Sequence, residues 1–288
     1  MFDPDLPASY DHLRRAGAAA LPGEEAAREA ELLLAAASGR SPAWLRAHGS
    51  DPAPLEVRRR AVEHLARRQA GEPIAYILGQ REFWSLPLTV GSAVLIPRPE
   101  TERLVELGLE RIPMDRSCRV ADLGTGSGAI ALAIARERPK AQVIATDVSA
   151  AALAVARGNA ARLGLAPRVA FELGDWYGAL ARQAPFDVLL SNPPYIAAND
   201  RHLRQGDLRF EPVKALASGR DGLEALRILA NGARDHLVAG GWLLVEHGFD
   251  QGAAVRDLFL RAGLTDITTG LDLARQERVT LGSRGYRP

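Results

Sequence analysis

From about Glu100 onward, segments that read as helices and segments that read as strands take turns, and this alternation constrains the fold more than any other property of the chain. The helix-like stretches are "ETERLVELGLERI", "GAIALAIARER", "AAALAVARGNAARLG", "GLEALRILANGARDHL" and one around "QGAAVRDLFLRAG". Between them lie "RVADLG", "QVIATD", "VAFELGD", "FDVLLSN" and "GWLLVEHG", which read as strands, and a closing strand pair is expected near "LTDITTGL" and "ERVTLGS". Short apolar runs alternating with amphipathic helices predict an α/β fold, a mostly parallel sheet with helices on both faces. In open sheets of that kind, ligands sit beyond the carboxyl ends of the strands. Those ends are where chemistry is to be sought.

The first seventy residues have a different texture. "GEEAAREAELLLAAASG" places apolar residues at helical spacing and stops at Gly39; "SPAWLRAHG" and "PAPLEVRRRAVEHLARRQAG" repeat the pattern, with Ser41 or Asp51 as caps. This predicts a small helical bundle over residues 1–70. Its arginines read mainly as a solvated face, with Arg58, Arg59, Arg60, Arg67 and Arg68 as candidates for steering an acidic protein partner. Next, "PIAYILGQREFWSLPLTVGSAVLIPRPET" sets Gly and Pro breaks around aromatic and β-branched residues, which predicts a β-hairpin linker over 71–98. Residues 99–288 form the alternating region.

Composition removes several classes of function. A formal net charge of +1 over 288 residues provides no general field for drawing in nucleic acid or a membrane surface. The single cysteine, Cys118, permits neither an internal disulfide nor a thiolate metal cluster and reads as a small core residue; no metal site is expected. "MFDPDLPASY" lacks the basic and apolar regions of a signal peptide, and no run reaches the roughly 18 apolar residues of a membrane span, so a cytoplasmic location without a membrane partner is expected.

Four strand ends carry polar or glycine-rich signals. The first, "DLGTGSG", turns from strand into helix at Asp122, with Gly124, Thr125, Gly126, Ser127 and Gly128. Glycine allows positive φ and close backbone approach, and the helix start offers unpaired N–H groups. The second is Asp147 in "IATDVS", placed to accept from the hydroxyls of a ribose in either a nicotinamide or an S-adenosyl ligand. The third, Gly174-Asp175-Trp176, offers a carboxylate for an adenine amino group and an indole to pack on the adenine face.

The fourth is "SNPPY", Ser191 to Tyr195. Asn192 has no useful acid or base function, but its carbonyl can accept one N–H of a planar NH2 group. The two prolines restrain the backbone and fix the Pro193 carbonyl as a second acceptor, while Tyr195 supplies a flat face. Holding both N–H groups aims the amide nitrogen at an electrophile, which is catalysis by positioning and by stabilising developing positive charge.

"DLGTGSG", "ATDVS", "GDW" and "SNPPY", in this order and spacing, resemble class I S-adenosylmethionine-dependent methyltransferases that act on amino groups. The flanks "GEPIAYILGQREFWSLPLTV", "LIPRPETE", "RFEP", "EHG" and "ERVTLG" are similar to the peptide chain release factor glutamine methyltransferases, the PrmC/HemK family. The resemblance covers nearly the whole chain and is weakest in the first seventy residues. It implies a Rossmann-like domain with a mixed seven-stranded sheet, preceded by a helical substrate-recognition domain and the hairpin. It implies N5-methylation of the glutamine in the Gly-Gly-Gln loop of class I release factors, hence a part in translation termination, with S-adenosyl-L-methionine as donor and S-adenosyl-L-homocysteine as product. Carried over, Gly124 to Gly128 cradle the methionine end of the cofactor, Asp147 holds the ribose and Trp176 packs on the adenine. Asn192 contacts both cofactor and substrate, and Asn192, Pro193, Pro194 and Tyr195 grip the glutamine amide, with Asn192, Pro193 and Tyr195 as the catalytic set. Phe83 and Trp84 are candidates for walls of the substrate pocket, or for core.

Three rivals share parts of this pattern. An adenine-N6 nucleic-acid methyltransferase shares the clamp, but would be expected to add a target-recognition region or basic groove, so no stable nucleic-acid partner is expected. A nicotinamide-dependent oxidoreductase shares the first two strand ends. A non-catalytic S-adenosylmethionine-binding module shares all but the need for an intact clamp.

Overall fold

The computed structural model describes residues 3–286. Met1, Phe2, Arg287 and Pro288, the outermost residues of the first and last expected regions, lie outside the described residues. The chain divides between Gly79 and Gln80 into two compact units.

The first unit is helical: α1 (Tyr10–Ala20), α2 (Ala26–Ser38), α3 (Pro42–Ala47), α4 (Leu55–Gln69) and α5 (Ile74–Leu78). Ser9 caps α1 by accepting from the His12 N–H, Ser41 caps α3 by accepting from the Trp44 N–H, and Gly39 ends α2 in the left-handed region at φ 66°. Asp51 caps nothing; α4 starts after Pro54 without a side-chain cap. Leu13, Leu34 and Leu45 fill one part of the core, and Leu33, Leu65 and Ile77 another.

"PIAYIL" forms α5 rather than part of a strand pair, because Pro73 at its start and Gly79 in the left-handed region at its end delimit a short helix. The span 71–98 is therefore divided, with 71–79 in the first unit and 80–98 in the second. The arginines of α4 are bound internally. Arg58 donates to the Pro4 and Ala53 carbonyls, Arg59 pairs with Asp5, Arg60 with Glu56, Arg67 with Glu72, and Arg68 with Glu29.

The second unit opens with a hairpin of β1 (Gln80–Phe83) and β2 (Leu86–Thr89), then continues through α6 (Glu102–Arg111), β3 (Cys118–Leu123), α7 (Ala129–Glu137), β4 (Ala141–Asp147), α8 (Ala150–Arg162), β5 (Val169–Leu173), β6 (Phe186–Ser191), α9 (Glu224–His236), β7 (Leu237–Glu246), α10 (Gly252–Arg261), β8 (Thr265–Leu271) and β9 (Glu277–Ser283). The seven-stranded sheet has the order β5-β4-β3-β6-β7-β9-β8; β9 runs antiparallel to β7 and β8, and the other pairs are parallel. The chain winds outward from β3 to β5, then returns to lay β6 on the other side of β3. This reversal leaves a crevice at the carboxyl ends of β3 and β6.

Alternate residues of the central strands serve opposite faces. Val120, Val188 and Leu244 pack with α6 and α7, while Ala121, Leu189 and Leu243 pack with α9 and α10. Covering both faces is why these strands read as nearly unbroken apolar runs. Cys118 is buried in this core, and burial pushes its thiol up to about 12, so it stays protonated.

Trp84 and Ser85 turn the hairpin in two residues, at φ 52° and 53°, a conformation that usually calls on Asn-Gly. The tip is held from outside: Glu102 accepts from the Trp84 N–H at 2.9 Å and Glu137 from the indole N–H at 3.1 Å. Phe83 is 2% exposed within the core beneath. Both aromatics thus pack into the body of the unit, and neither lines the two cavities at the strand ends. Among the described residues no helix is long and apolar enough to cross a membrane.

Candidate active site at the strand ends

The glycine-rich turn is shaped by β4 beside it. The N–H groups of Gly124 and Thr125 both donate to the Thr146 carbonyl, at 2.9 and 2.8 Å, bending the chain over the end of that strand. Gly126 and Gly128 have φ of 55° and 87°, which side chains resist. A Cβ on Gly126 would meet nothing within 4 Å, whereas one on Gly128 would press on Leu132 at 3.1 Å and Ala156 at 3.3 Å. The first thus borders open space; the second is a packing position.

Beneath the turn, Asp122 Oδ2 accepts from the Thr125 hydroxyl at 2.6 Å and the Ala131 N–H at 3.1 Å. Burial pushes this carboxyl up to about 7; its two hydrogen bonds oppose the rise and the charge of Asp147 adds to it. Asp147 in turn accepts from the Gly126 N–H at 2.9 Å and the Ser149 N–H at 2.8 Å, so it orders the glycine turn as well as facing the crevice. Asn159 of α8, fully buried, donates to the Ser127 carbonyl at 2.8 Å and exchanges two hydrogen bonds with Thr89, joining the turn to the end of β2.

Between these strand ends lies a cavity of about 300 Å³ lined by Gly124 to Ser127, Asp147, Asp175, Trp176, Asn192 and Pro194, among others. The Trp176 ring comes within 3.6 Å of where a Cβ on Gly124 would stand. A second cavity of about 60 Å³ is lined by Pro193, Tyr195, Arg98 and Ile196, with Asn192 again in its wall. Of the residues assigned from sequence to the cofactor and the amide clamp, Gly128 alone lies outside both cavities. Asn192 belongs to both.

Around Asn192 the chain is held on every side. The Ser191 hydroxyl donates to the Leu123 carbonyl at 2.6 Å, fastening the end of β6 to that of β3. Asn192 Nδ2 donates to Thr101 Oγ1 at 3.0 Å. The Tyr195 carbonyl accepts from the Gln251 side chain at 2.9 Å and lies so close to Gly222 that a Cβ there would be 2.3 Å away. The Tyr195 hydroxyl reaches Glu246 at 3.4 Å, and burial pushes the phenol upward and Glu246 up to about 7. Glu211, with its side chain fully enclosed, pairs with Arg98 and accepts from the Ile96 N–H at 3.0 Å.

Thr101, Glu211 and Glu246 were not singled out from the sequence. Each sat inside a quoted flank, "RPETE", "RFEP" or "EHG"; a carboxylate closing the apolar run "WLLVE" was the signal for Glu246.

Residues 103–209 match the family described as "Methyltransferase small domain", and residues 12–79 match "PrmC N-terminal domain". A release factor glutamine methyltransferase from Xylella fastidiosa is 56% identical over 88% of this chain and 92% of its own length. The protein of that name from Escherichia coli is 46% identical over 95% of this chain and 98% of its own. The chain belongs to the release factor glutamine methyltransferase family. The fold agrees: the solved structure of a methyltransferase from Pyrococcus furiosus, 17% identical, superposes with a TM-score of 0.53 over 77% of this chain and 98% of that one. Within the family assignment, the helical unit is the part matched by the amino-terminal domain, and the match ends at Gly79, where the first unit ends.

Proposed function

We propose that this chain methylates the side-chain amide nitrogen of a glutamine in class I release factors, in the cytoplasm, with S-adenosyl-L-methionine as donor, and that its helical unit recognises the protein substrate. The observation that carries the reading is the place of Asn192, in a wall common to a large cavity and a small one.

The large cavity fits the cofactor. It offers a carboxylate at the tip of β4, an indole, and a glycine turn in which a Cβ on Gly126 would point into open space. Gly124, Thr125, Gly126 and Ser127 would hold the methionine end, with Gly128 shaping the turn from behind; Asp147 would hold the ribose, and Asp175 and Trp176 the adenine. When bound, the cofactor supplies a methyl group on positively charged sulfur, open to attack by a weak nucleophile.

The chain's own residues do the positioning. With its NH2 committed to Thr101, Asn192 keeps Oδ1 free to accept one N–H of the glutamine amide. The Pro193 carbonyl accepts the other, Pro194 stiffens that backbone, and Tyr195 gives the amide plane a face to lie on. Two acceptors stabilise the charge that develops on nitrogen as the methyl arrives, so no strong base is required.

Incubating the protein with isotopically labelled cofactor and either release factor or an adenine-containing oligonucleotide, followed by peptide mass spectrometry, tests the reading. Label on a release-factor glutamine is the expected result; label on the oligonucleotide alone would replace it with the nucleic-acid reading.

A further inference from the structure

We propose that Thr101 and Glu246 are positioning residues that decide which end of the Asn192 carboxamide faces the substrate. The inference rests on the clamp reading above. A carboxamide has nearly the same shape either way round, so hydrogen bonds choose between its oxygen and its nitrogen.

Asn192 Nδ2 donates to Thr101 Oγ1, and Thr101 is 3% exposed, so water does not complete the set. A hydroxyl has one proton, and for Thr101 to accept from Asn192 that proton must point elsewhere. On this inference it is directed toward Glu246, whose charged form Thr101 favours. This carboxylate ends β7 fully enclosed, Thr101 is among the groups that favour its charged form, Oε1 receives the Tyr195 hydroxyl, and Oε2 has no hydrogen-bond partner. An ionised carboxylate only accepts. It draws the threonine proton to itself, Thr101 offers its lone pair to Asn192, and Asn192 is left to donate there and keep Oδ1 for the clamp.

Protonating Glu246 permits the reverse order. The acid proton goes to Thr101 Oγ1, the threonine proton to Asn192 Oδ1, and the NH2 of Asn192 turns toward the substrate's N–H groups, which it cannot accept. The charged and titratable groups facing Glu246 are Glu100 just before α6, Tyr195 after β6 and Arg278 in β9; Arg278 favours the ionised form and Glu100 opposes it.

A mutant cycle on Asn192 tests the inference in single-turnover assays. Thr101→Val keeps the shape without the hydroxyl and is expected to lower the rate about tenfold with cofactor affinity little changed, while Thr101→Ser stays near wild type. Added to Asn192→Ala, Thr101→Val should cost nothing further, because it acts through a group already removed. Wild type is expected to slow as pH drops through about 7, and Glu246→Gln should be slow throughout and lack that fall. The proposal is overturned by wild-type turnover in Thr101→Val, by a loss that adds in full to that of Asn192→Ala, or by an unchanged acid limb in Glu246→Gln. Should Thr101→Val fail to fold, Glu246→Gln carries the same cycle. Normal turnover in Asn192→Ala would instead overturn the clamp reading, so the two failures are distinct.

Discussion

Arg58, Arg59, Arg60, Arg67 and Arg68 of the helical unit all find partners within that unit, whereas Asp122, Thr146 and Glu246 in the sheet unit are each buried with a side-chain oxygen that has none. These three sit at the carboxyl ends of β3, β4 and β7, and among the described residues no other side-chain oxygen is buried unpartnered. An exposed ion pair contributes less than about 1 kcal/mol, because water replaces either partner cheaply. A buried oxygen without a donor costs about 1–3 kcal/mol. Both units leave a buried arginine Nε unpartnered, at Arg14 in the helical unit and at Arg81, Arg103, Arg111 and Arg119 in the sheet unit, so what sets the sheet unit apart is that its unpartnered side-chain oxygens gather at the edge where the clamp and the glycine turn meet. None of Asp122, Thr146 and Glu246 lines either cavity, so they lie behind the residues that face it.

The contrast breaks first at Asn192 if it is wrong. Asn192→Ala is expected to cost about 3 kcal/mol of barrier or more, roughly a hundredfold in rate, on the scale of losing one oriented group that stabilises transition-state charge. Cofactor binding should largely survive. Near-normal transfer to release factor would mean that the edge is not a clamp.

Asp147→Ala comes next and acts on the ground state. About a ten- to hundredfold loss of cofactor affinity is expected, with a smaller effect on the saturated rate, since a ribose contact is similar before and during transfer. The same substitution frees the N–H groups of Gly126 and Ser149, so melting temperature should fall as well. Unchanged affinity by titration calorimetry would take Asp147 out of the cofactor site and leave it as an organiser of the turn.

Asp122→Asn sharpens the contrast through stability alone. Asp122 has its pKa raised from the usual carboxylate range to about 7. The folded state thus binds this proton more tightly than the unfolded chain. Its contribution is fully present below about pH 4 and is lost as pH rises through about 7, by about 1.4 kcal/mol between pH 6 and 8. Asparagine can accept from Thr125 and Ala131 without titrating, so urea unfolding of the variant should lack that loss. Parallel profiles for the two proteins would show that Asp122 is ionised in the fold throughout.

What could be read from the sequence follows from the range of the physics involved. The alternation after Glu100 is local periodicity, and it yielded the strands, their helices and the closing antiparallel pair. The four strand ends followed because a parallel sheet has only one edge where ligands gather. Thr101 could not be found this way: its role comes from meeting Asn192, 91 positions away, through one hydrogen bond. Glu246 meets Tyr195 across 51 positions in the same manner. Phe83 and Trp84 were open to two readings because an aromatic beside a hairpin turn suits a pocket wall and a core equally, and only Glu102, Glu137 and the packing beneath decide. The β-branched and aromatic residues of "PIAYIL" suit the strand pair expected for the longer stretch, whereas the Pro73 and Gly79 that bracket it favour one helical turn.

The smallest effect expected is at Arg59 and Arg60, and it bears on how the helical unit would meet a partner. Steering needs charge that a partner can sense at a distance. Arg59 lies 3.0 Å from Asp5 and Arg60 3.1 Å from Glu56, so each cation is matched by an anion well inside the screening length of about 8–10 Å. An approaching release factor would see short dipoles, with little net field from this stretch. Replacing both arginines by alanine should leave stability within about 0.5 kcal/mol and kcat/KM for release factor within about twofold from low to high salt. Recognition by this unit would then rest on shape and on apolar contact. A loss of kcat/KM that deepens as salt is lowered would reveal that the pairs open on encounter and that the arginines steer after all.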